Sequence, residues 1–260
     1  MEPPFLRLSA LRQATLLQTS KARLVGPGPW LALVAAALLP SPALAQAYQC
    51  RVPQNVSLPP AIQPDGPSYR APVTGYTLAV SWSPEFCRGK AARDPDNYQC
   101  NGQIGRFGFV LHGLWPESGS GKSPQWCAVT PRPTQQDFAQ NLCMTPAPWL
   151  IEHEWAKHGS CMATTPAAYL KVSSILWQSL HFPDADRLSR QPGLNSGDLR
   201  KAFAAANPGI PVKAIGLNLG NGGWLREVHL CYSAKFLPAP CDKRGFGPKD
   251  DVPLKIWRGL

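Results

Sequence analysis

The stretch HEWAKHGSC, residues 153–161, brings together two of the chain's five histidines, an acid, a lysine and a cysteine. A helix is predicted from Trp149 to His158, because Pro148 suits a first turn and Gly159 suits a C-terminal stop. Since each helical residue turns by about 100°, the four ionisable side chains of the stretch share one side of that helix. The stretch therefore predicts a cluster of titratable groups on one helix face.

A catalytic zinc site is one interpretation of this cluster. The metalloprotease pattern H-E-x-x-H needs two histidines four residues apart. Here His153 and His158 are five apart, and Lys157 stands where the second ligand belongs. Because an ammonium group repels a cation, we predict no metal at this position.

Two further interpretations concern protons and charge. A solvated helix face with an ordinary charge pair fits poorly, because Trp149, Trp155 and Cys161 are expected to tie the segment into a core, where ionisable groups acquire perturbed pKa values. Acid–base catalysis on a phosphate fits better, since histidines exchange protons near neutral pH. A lysine ammonium can neutralise phosphoryl oxygens, and a glutamate can orient a neighbouring histidine.

The first 45 residues predict a secretory signal. A basic stretch precedes the apolar run WLALVAAALL at 30–39, and Ala43-Leu44-Ala45 follows as a small-residue cleavage site. The run is too short for a bilayer, which takes about 20 apolar residues, and no other segment is long and apolar enough. We therefore expect a secreted protein, periplasmic or extracellular, with no membrane attachment once residues 1–45 are removed.

The charge balance favours a polyanionic partner. The whole chain carries a formal net charge of +10, and removal of residues 1–45 leaves +7. Such a surplus suits nucleic acid, an anionic surface or an acidic polysaccharide, although solubility alone would also account for it. Nine tryptophans and nine phenylalanines argue against a globally disordered chain.

All eight cysteines follow the predicted signal. They are Cys50, Cys87, Cys100, Cys127, Cys143, Cys161, Cys231 and Cys241. An even count in a secreted chain predicts disulfides, and the lack of a CxxC pair argues against a zinc ribbon. Eight cysteines allow many pairings, and the sequence alone does not choose among them.

Strands and helices follow each other without strict alternation. Three segments are predicted to be strands: GYTLAVSW at 75–82, RFGFVLHGLW at 106–115 and WLREVHLCYS at 224–233. Further helices are predicted at 166–181 and at 196–205, the latter capped by Ser196. This order favours an α+β fold in a single domain over a doubly wound sheet.

A second histidine motif, HGLWP at 112–116, precedes HEWAKHGSC at 153–161. Together, in this order and in a cysteine-rich chain, they resemble the two active-site motifs of the ribonuclease T2 family. The likeness covers most of residues 75–241. It implies one disulfide-stabilised α+β catalytic domain at 74–260, with a central, mainly antiparallel sheet flanked by helices, after an irregular segment at 46–73.

The resemblance also implies an activity. In the family the ribose 2′-hydroxyl of single-stranded RNA attacks the adjacent phosphorus, which gives a 2′,3′-cyclic phosphate and then a 3′-phosphate. No metal and no cofactor takes part. DNA lacks the 2′-hydroxyl, so no DNA cleavage is expected. The expected partner is therefore RNA, and the expected assembly is a monomer.

The resemblance assigns roles position by position. His158 matches the general base that deprotonates the 2′-hydroxyl, and His112 matches the general acid that protonates the departing 5′-oxygen. His153 matches a phosphate contact that also helps the acid. Glu154 and Lys157 match the residues that stabilise the charged transition state.

Base contacts are implied less directly. Trp115 and Glu117 match positions that contact a base, although Trp115 would also suit a place in the core. Many members carry Gln before a Trp-x-Pro on the first strand, whereas Ser81 stands there in VSWSP. The base preference of family members is therefore not expected to apply to this chain. His181 and His229 match no motif, and His229, on a predicted strand, is expected to be structural.

The resemblance finally bears on the cysteines. The family pattern implies two bridges, a local loop suggests a third, and the two remaining cysteines are left for a fourth. The expected pairs are Cys127–Cys161, Cys231–Cys241, Cys87–Cys100 and Cys50–Cys143. The first pair would pin the end of the catalytic helix to the loop after HGLWP.

Overall fold

The computed structural model of the protein describes residues 47–48, 50–88, 90 and 97–259. The predicted signal, residues 1–45, lies outside these residues. Within them, every helix is too short or too polar to cross a membrane.

Strands and helices are interspersed along the described chain. The strands are β1 Ala47–Tyr48, β2 Gly75–Trp82, β3 Arg106–Phe107, β4 Phe109–Glu117, β5 Ile215–Leu219 and β6 Leu225–Ser233. The helices are α1 Ser83–Cys87, α2 Tyr98–Asn101, α3 Gln135–Asn141, α4 Pro148–Lys157, α5 Pro166–Gln178, α6 Ala185–Ser189, α7 Ser196–Ala206 and α8 Lys243–Phe246.

The central sheet of the described chain is antiparallel, with strand order β4-β2-β6-β5, and β1 pairs with β3 in a small second sheet. Along β2, Leu78, Val80 and Trp82 are buried in the core. Because side chains alternate across a strand, Thr77 and Ser81 lie on the opposite face. Helices flank this sheet, which confirms the predicted α+β class.

The pairing of β2 with β4 contains a β-bulge at the first histidine motif. Ala79 pairs with Gly113 and Val80 pairs with Leu111, so His112 is the extra residue between them. Bulges interrupt the ladder and re-aim side chains, and they are common beside active sites. The register of the sheet thus places His112 in a local backbone environment of its own.

The second motif lies on α4, which packs against β4 and α5. Trp155 is buried and its Nε1 donates to the carbonyl oxygen of Pro131 at 2.7 Å. Trp149, expected in the core, is 48% exposed, because it lies in the first turn on the partly exposed side of the helix that carries His153. The helix ends as predicted before Gly159, but for a different reason. A Cβ at Gly159 would lie 2.6 Å from the ring of Tyr169, so the glycine allows close packing.

The structure contains four disulfides, which are the two pairs that the resemblance implies, the pair expected from a local loop and the pair left over. They are Cys50–Cys143, Cys87–Cys100, Cys127–Cys161 and Cys231–Cys241. The bridge from Cys161 to Cys127 is reinforced by the backbone N–H of Trp126, which donates to the carbonyl oxygen of Lys157 at 2.7 Å. The loop after β4 is therefore fastened to the end of α4.

Several predicted boundaries differ from the observed ones. The strand predicted at 106–115 is divided into β3 and β4 at Gly108. The helix predicted from Ser196 is capped by Asn195 instead, whose side chain accepts from the N–H of Asp198 in a capping box. The helix predicted to reach 181 ends at Gln178. Neither α3 nor β5 was predicted.

Candidate active site

Gly113 allows the two motifs to approach each other. It lies on β4 directly after His112, and a Cβ at this position would clash with the carboxylate of Glu154, with Cδ only 2.7 Å away. The same Cβ would lie 3.0 Å from Nε1 of Trp115. The glycine of HGLWP is thus required because a buried carboxylate from α4 occupies the space beside it.

His112 lies between two carboxylates. Its Nδ1 is 2.6 Å from Oε1 of Glu227, and its Nε2 is 3.4 Å from Oε1 of Glu154. Burial lowers the pKa of His112, but the hydrogen bonds and charges of the two carboxylates outweigh burial and raise the pKa to about 10. His112 therefore carries a proton at neutral pH, as a general acid must.

His158 has the opposite character. Burial lowers the pKa of His158 to about 4; the charge of Glu154 opposes this shift, and the positive charges of Lys157 and His153 add to it. Its Nδ1 is buried and has no hydrogen-bond partner within the described residues. The imidazole is therefore neutral near pH 7 and able to accept a proton.

Trp115 stands between these histidines. Its ring centroid is 5.2 Å from that of His112 and 5.7 Å from that of His158. Its Nε1 donates to Oε2 of Glu154 at 2.7 Å. Burial raises the pKa of Glu154, but the hydrogen bonds from His112 and Trp115 and the nearby positive charges outweigh it, so the pKa is lowered and the carboxylate is ionised.

Lys157 and His153 lie on the rim of this centre. Nζ of Lys157 is 2.8 Å from Oδ2 of Asp65, whose Oδ1 accepts a 2.9 Å hydrogen bond from Nε1 of Trp126. The His153 ring meets the Trp126 ring edge-on at 5.4 Å. Burial, the largest influence, leaves the pKa of His153 lowered. The structure thus brings His112, Glu154 and His158 together, and it directs Lys157 towards Asp65.

Trp115 and Glu117 line a cleft of about 790 Å³ on the far side of the indole. Oε1 of Glu117 accepts from the hydroxyl of Thr77 at 2.9 Å, and Oε2 accepts from the hydroxyl of Ser123 at 2.8 Å. Trp115 is partly exposed to this cleft. The arrangement is an open, partly apolar recess that Trp115, Glu117 and His229 help to line.

Glu227 and His229, both on β6, were not among the predicted site residues. Glu227 contacts His112 as described, and its Oε2 is 3.1 Å from Nε2 of His229. The ring of His229, expected to be structural, lies edge-on to Trp115 at 5.4 Å. The available signal was their two-residue spacing, which puts both side chains on one face of a strand. What the sequence lacked was the register that sets this face beside His112.

A bound metal ion would need several ligating side chains in one place. Among the described residues there is no group of three or more His, Cys, Asp or Glu side chains that could hold a metal ion.

Comparison with known proteins agrees with the geometry. The model of the ribonuclease T2 family matches residues 74–191, which include both motifs. A probable ribonuclease of Haemophilus influenzae is 35% identical over 136 residues, covering 48% of this chain and 49% of that protein. A ribonuclease of Aeromonas hydrophila is 33% identical over 163 residues, covering 60% and 70%.

A solved structure supports the fold. The S-like ribonuclease trichomaglin superposes with a TM-score of 0.54 at 21% identity, covering 71% of this chain and 98% of that one. At that identity the likeness concerns the fold alone. The Aeromonas match, which spans more than two thirds of its length, and the family match to both motifs decide the classification: the chain belongs to the ribonuclease T2 family of endoribonucleases.

Proposed function

We propose that the protein cleaves single-stranded RNA by metal-independent acid–base transesterification, yielding 2′,3′-cyclic phosphate ends that are later hydrolysed to 3′-phosphates. The observation that carries this proposal is the opposite protonation of two histidines beside one tryptophan. The pKa of His112 is raised to about 10 and that of His158 is lowered to about 4. Pairs of groups with diverging pKa values are typical of acid–base sites.

In the first step, His158 takes the proton of the ribose 2′-hydroxyl, and the 2′-oxygen attacks the adjacent phosphorus. The bond from phosphorus to the 5′-oxygen breaks, and His112 gives its proton to that oxygen. His112 is then neutral and His158 is protonated. In the second step the roles reverse: His112 takes a proton from water, and the water oxygen attacks the phosphorus of the cyclic phosphate. The bond from phosphorus to the 2′-oxygen breaks, and His158 gives its proton to that oxygen, which leaves a 3′-phosphate.

The remaining residues of the second motif supply charge. Lys157 is partly exposed at the rim, and its ammonium is proposed to move from Asp65 to the phosphoryl oxygens of the transition state. His153 is proposed to contact the phosphate and assist His112. Glu154 is proposed to act through its ionised carboxylate, which stabilises the proton on His112.

Substrate binding is assigned to the cleft. Trp115 offers an aromatic face on which an unpaired base can stack, and Glu117 is proposed to accept hydrogen bonds from that base. Because the attacking group is the 2′-hydroxyl, DNA is not expected to be cleaved. The formal charge of +7 on residues 46–260 favours binding to the RNA backbone.

Maturation and location follow from the same proposal. Residues 1–45 are proposed to be a removed signal, followed by an irregular segment at 46–73 and a catalytic domain at 74–260. The four disulfides fit an oxidising compartment, which supports secretion to a periplasm or beyond. We propose a monomer with no membrane attachment.

The experiment uses the disulfide-bonded protein, residues 46–260, with single-stranded RNA and excess EDTA, and reads the products by mass spectrometry. Cyclic phosphate ends are expected from the parent, and His112→Ala and His158→Ala should both abolish them. His181→Ala, which alters an exposed histidine after α5, is the matched control. If the folded parent cleaved no RNA from acidic to neutral pH, the enzyme proposal would be wrong, and the two motifs would belong to a scaffold that binds RNA. Activity removed by EDTA would instead favour a zinc hydrolase using His153 and His158.

A further inference from the structure

Glu227 is the most heavily hydrogen-bonded carboxylate beside the proposed reaction centre. Its Oε1 lies 2.6 Å from Nδ1 of His112 and accepts from the hydroxyl of Ser81 at 3.0 Å. Its Oε2 lies 3.1 Å from Nε2 of His229 and accepts from Nδ2 of Asn218 at 3.3 Å. Four donors from three strands and a bulge thus converge on one acid.

We infer that Glu227 is the positioning residue of the general acid: it holds the Nδ1–H of His112 and thereby presents Nε2 to the departing 5′-oxygen. This inference rests on the function proposed above and extends it to a residue outside both motifs. Glu227 itself touches no reacting atom, so its role is exercised entirely through His112.

The geometry of His112 supports this assignment. A histidine that donates one ring N–H to a carboxylate has its tautomer and ring plane fixed, and its other nitrogen becomes the reactive one. The 2.6 Å contact at Nδ1 is short, as expected when donor and acceptor are both charged, whereas the 3.4 Å approach of Glu154 to Nε2 is longer. Nε2 is therefore the nitrogen that remains available to hand over a proton.

The bulge explains why such a partner is needed. His112 is the extra residue between two paired positions of β2 and β4, so the ladder alone does not fix its direction. Glu227 reaches it from β6, across β2, at the place where Ser81 pairs with Glu227. Strand β6, on the other side of β2, thus supplies the hydrogen-bond partner that fixes the direction of His112.

The surroundings of Glu227 stabilise the negative charge of its carboxylate. Its side chain is only 13% exposed, and an ionised carboxylate at such a site needs compensating donors. Burial raises its pKa, but the hydrogen bonds from His112 and His229 outweigh burial, so the pKa of Glu227 lies far below its usual range. Because the carboxylate stays ionised at the pH values where the reaction would run, it can hold His112 in one orientation while Nε2 gives up and regains its proton.

His229 extends the support to the cleft. It contacts Oε2 of Glu227 on one side and the ring of Trp115 on the other. One buried carboxylate therefore connects the proton donor to the indole proposed to stack on the base. The other titratable groups that face His112 are Glu154, His153 and His158, all from α4 or its end.

The test compares two substrates that differ in their need for a proton donor. One is a dinucleotide, whose alkoxide leaving group must be protonated. The other is a nucleoside 3′-(4-nitrophenyl phosphate), whose phenolate leaves without help. For Glu227→Gln in the disulfide-bonded protein, we expect kcat for the dinucleotide to fall about 100-fold, within the range that general acids contribute. We expect kcat for the aryl ester to change less than about threefold.

The matched control is Glu152→Gln, which alters another buried carboxylate. Glu152 forms an ion pair with Arg132 at 2.6 Å, away from His112. Its loss should lower stability and leave the ratio of the two substrates unchanged. If Glu227→Gln lowered both substrates equally, or neither, the positioning role would be wrong while the endoribonuclease proposal stood. A parent inactive on both substrates would instead refute the proposed function.

A second variant tests the inference even if Glu227→Gln does not fold. Ser81→Ala removes one donor from Oε1 of Glu227 and leaves the carboxylate in place. A loosened carboxylate should slow the dinucleotide a few-fold and spare the aryl ester. An equal effect on both substrates, or none on either, would overturn the inference even if Glu227→Gln failed to fold.

Discussion

The indole N–H of Trp115 donates to Oε2 of Glu154 at 2.7 Å, and this hydrogen bond joins the two sequence motifs directly. The other oxygen of the same carboxylate lies 3.4 Å from Nε2 of His112. One buried acid on α4 therefore contacts both the ring proposed to stack on a base and the proposed proton donor. A substitution in either motif should consequently change the position of side chains in the other.

Trp115→Phe tests this link. The variant keeps an aromatic ring but removes the donor, which leaves a buried carboxylate oxygen without its partner. We expect kcat/KM for RNA to fall by about tenfold, equivalent to ~1.4 kcal/mol. The control is Trp177→Phe, since the buried Nε1 of Trp177 has no hydrogen-bond partner in the described chain and its removal should be nearly neutral. Equal kinetics for the parent and Trp115→Phe would show that the hydrogen bond is dispensable.

Gly113→Ala tests the close approach of the motifs. The added methyl group would clash with the Glu154 carboxylate, so α4 or the side chain must shift. Overpacking of this kind costs about 1–3 kcal/mol of unfolding free energy, and activity should fall as His112 and Glu154 separate. Gly119→Ala is the control, because its Cβ would meet nothing closer than 4.0 Å. Urea denaturation and RNA cleavage measure the two effects; unchanged stability for Gly113→Ala would contradict the packing argument.

The pH dependence of the reaction should follow the two histidines. His158 must be neutral and His112 protonated, so kcat/KM should lose activity below about pH 4 and above about pH 10, with a broad plateau between. Glu154→Gln removes one of the two carboxylates that raise the pKa of His112, and the alkaline limb should move to lower pH. Initial rates on a dinucleotide, corrected for spontaneous alkaline hydrolysis, measure this. An alkaline limb that stays in place would assign it to another group.

The proposed site residues could be named from the sequence, whereas the residues that contact them could not. His112, Glu154 and His158 come from two short motifs whose residue types already carry their chemistry. Glu227 was missed because its meaning depends on a strand register that brings β6 across β2 to the bulge at His112. Asp65 was missed for a similar reason, since it lies in an irregular segment and meets Lys157 only in three dimensions.

The boundaries of the strands and helices show the same distinction between local sequence signals and contacts that form only in the folded chain. The strand β2 was predicted at its observed limits, because an apolar run bounded by glycine and proline is a local signal. The division between β3 and β4 goes with their different partner strands, β1 and β2. The glycine requirement at Gly159 depends on packing against Tyr169. Local patterns therefore predicted elements, whereas contacts between elements explain the details that position the site.

Asp65→Asn tests the pairing of Lys157. The carboxylate of Asp65 is more than half exposed and holds the ammonium at 2.8 Å, so its neutralisation should free Lys157 for phosphate. We expect a roughly two- to fivefold lower KM for RNA at low salt, an advantage that disappears at high salt as exposed charges are screened. Asp186→Asn is the control, because Asp186 is similarly exposed and pairs with Arg190. A higher KM for Asp65→Asn would indicate that Asp65 positions Lys157 for catalysis.

The disulfide between Cys127 and Cys161 should matter for activity as well as stability. It joins the loop after β4 to the end of α4, next to Lys157 and His158. Replacing both cysteines by serine should cost about 2–5 kcal/mol of unfolding free energy. It should also reduce kcat for RNA, because the end of α4 that bears His158 loses its anchor. The double serine variant of Cys87 and Cys100, which removes a bridge between α1 and α2, is the control. Comparing kcat in buffer where both variants remain folded separates the two effects, and equal kcat values would limit the first bridge to a role in stability.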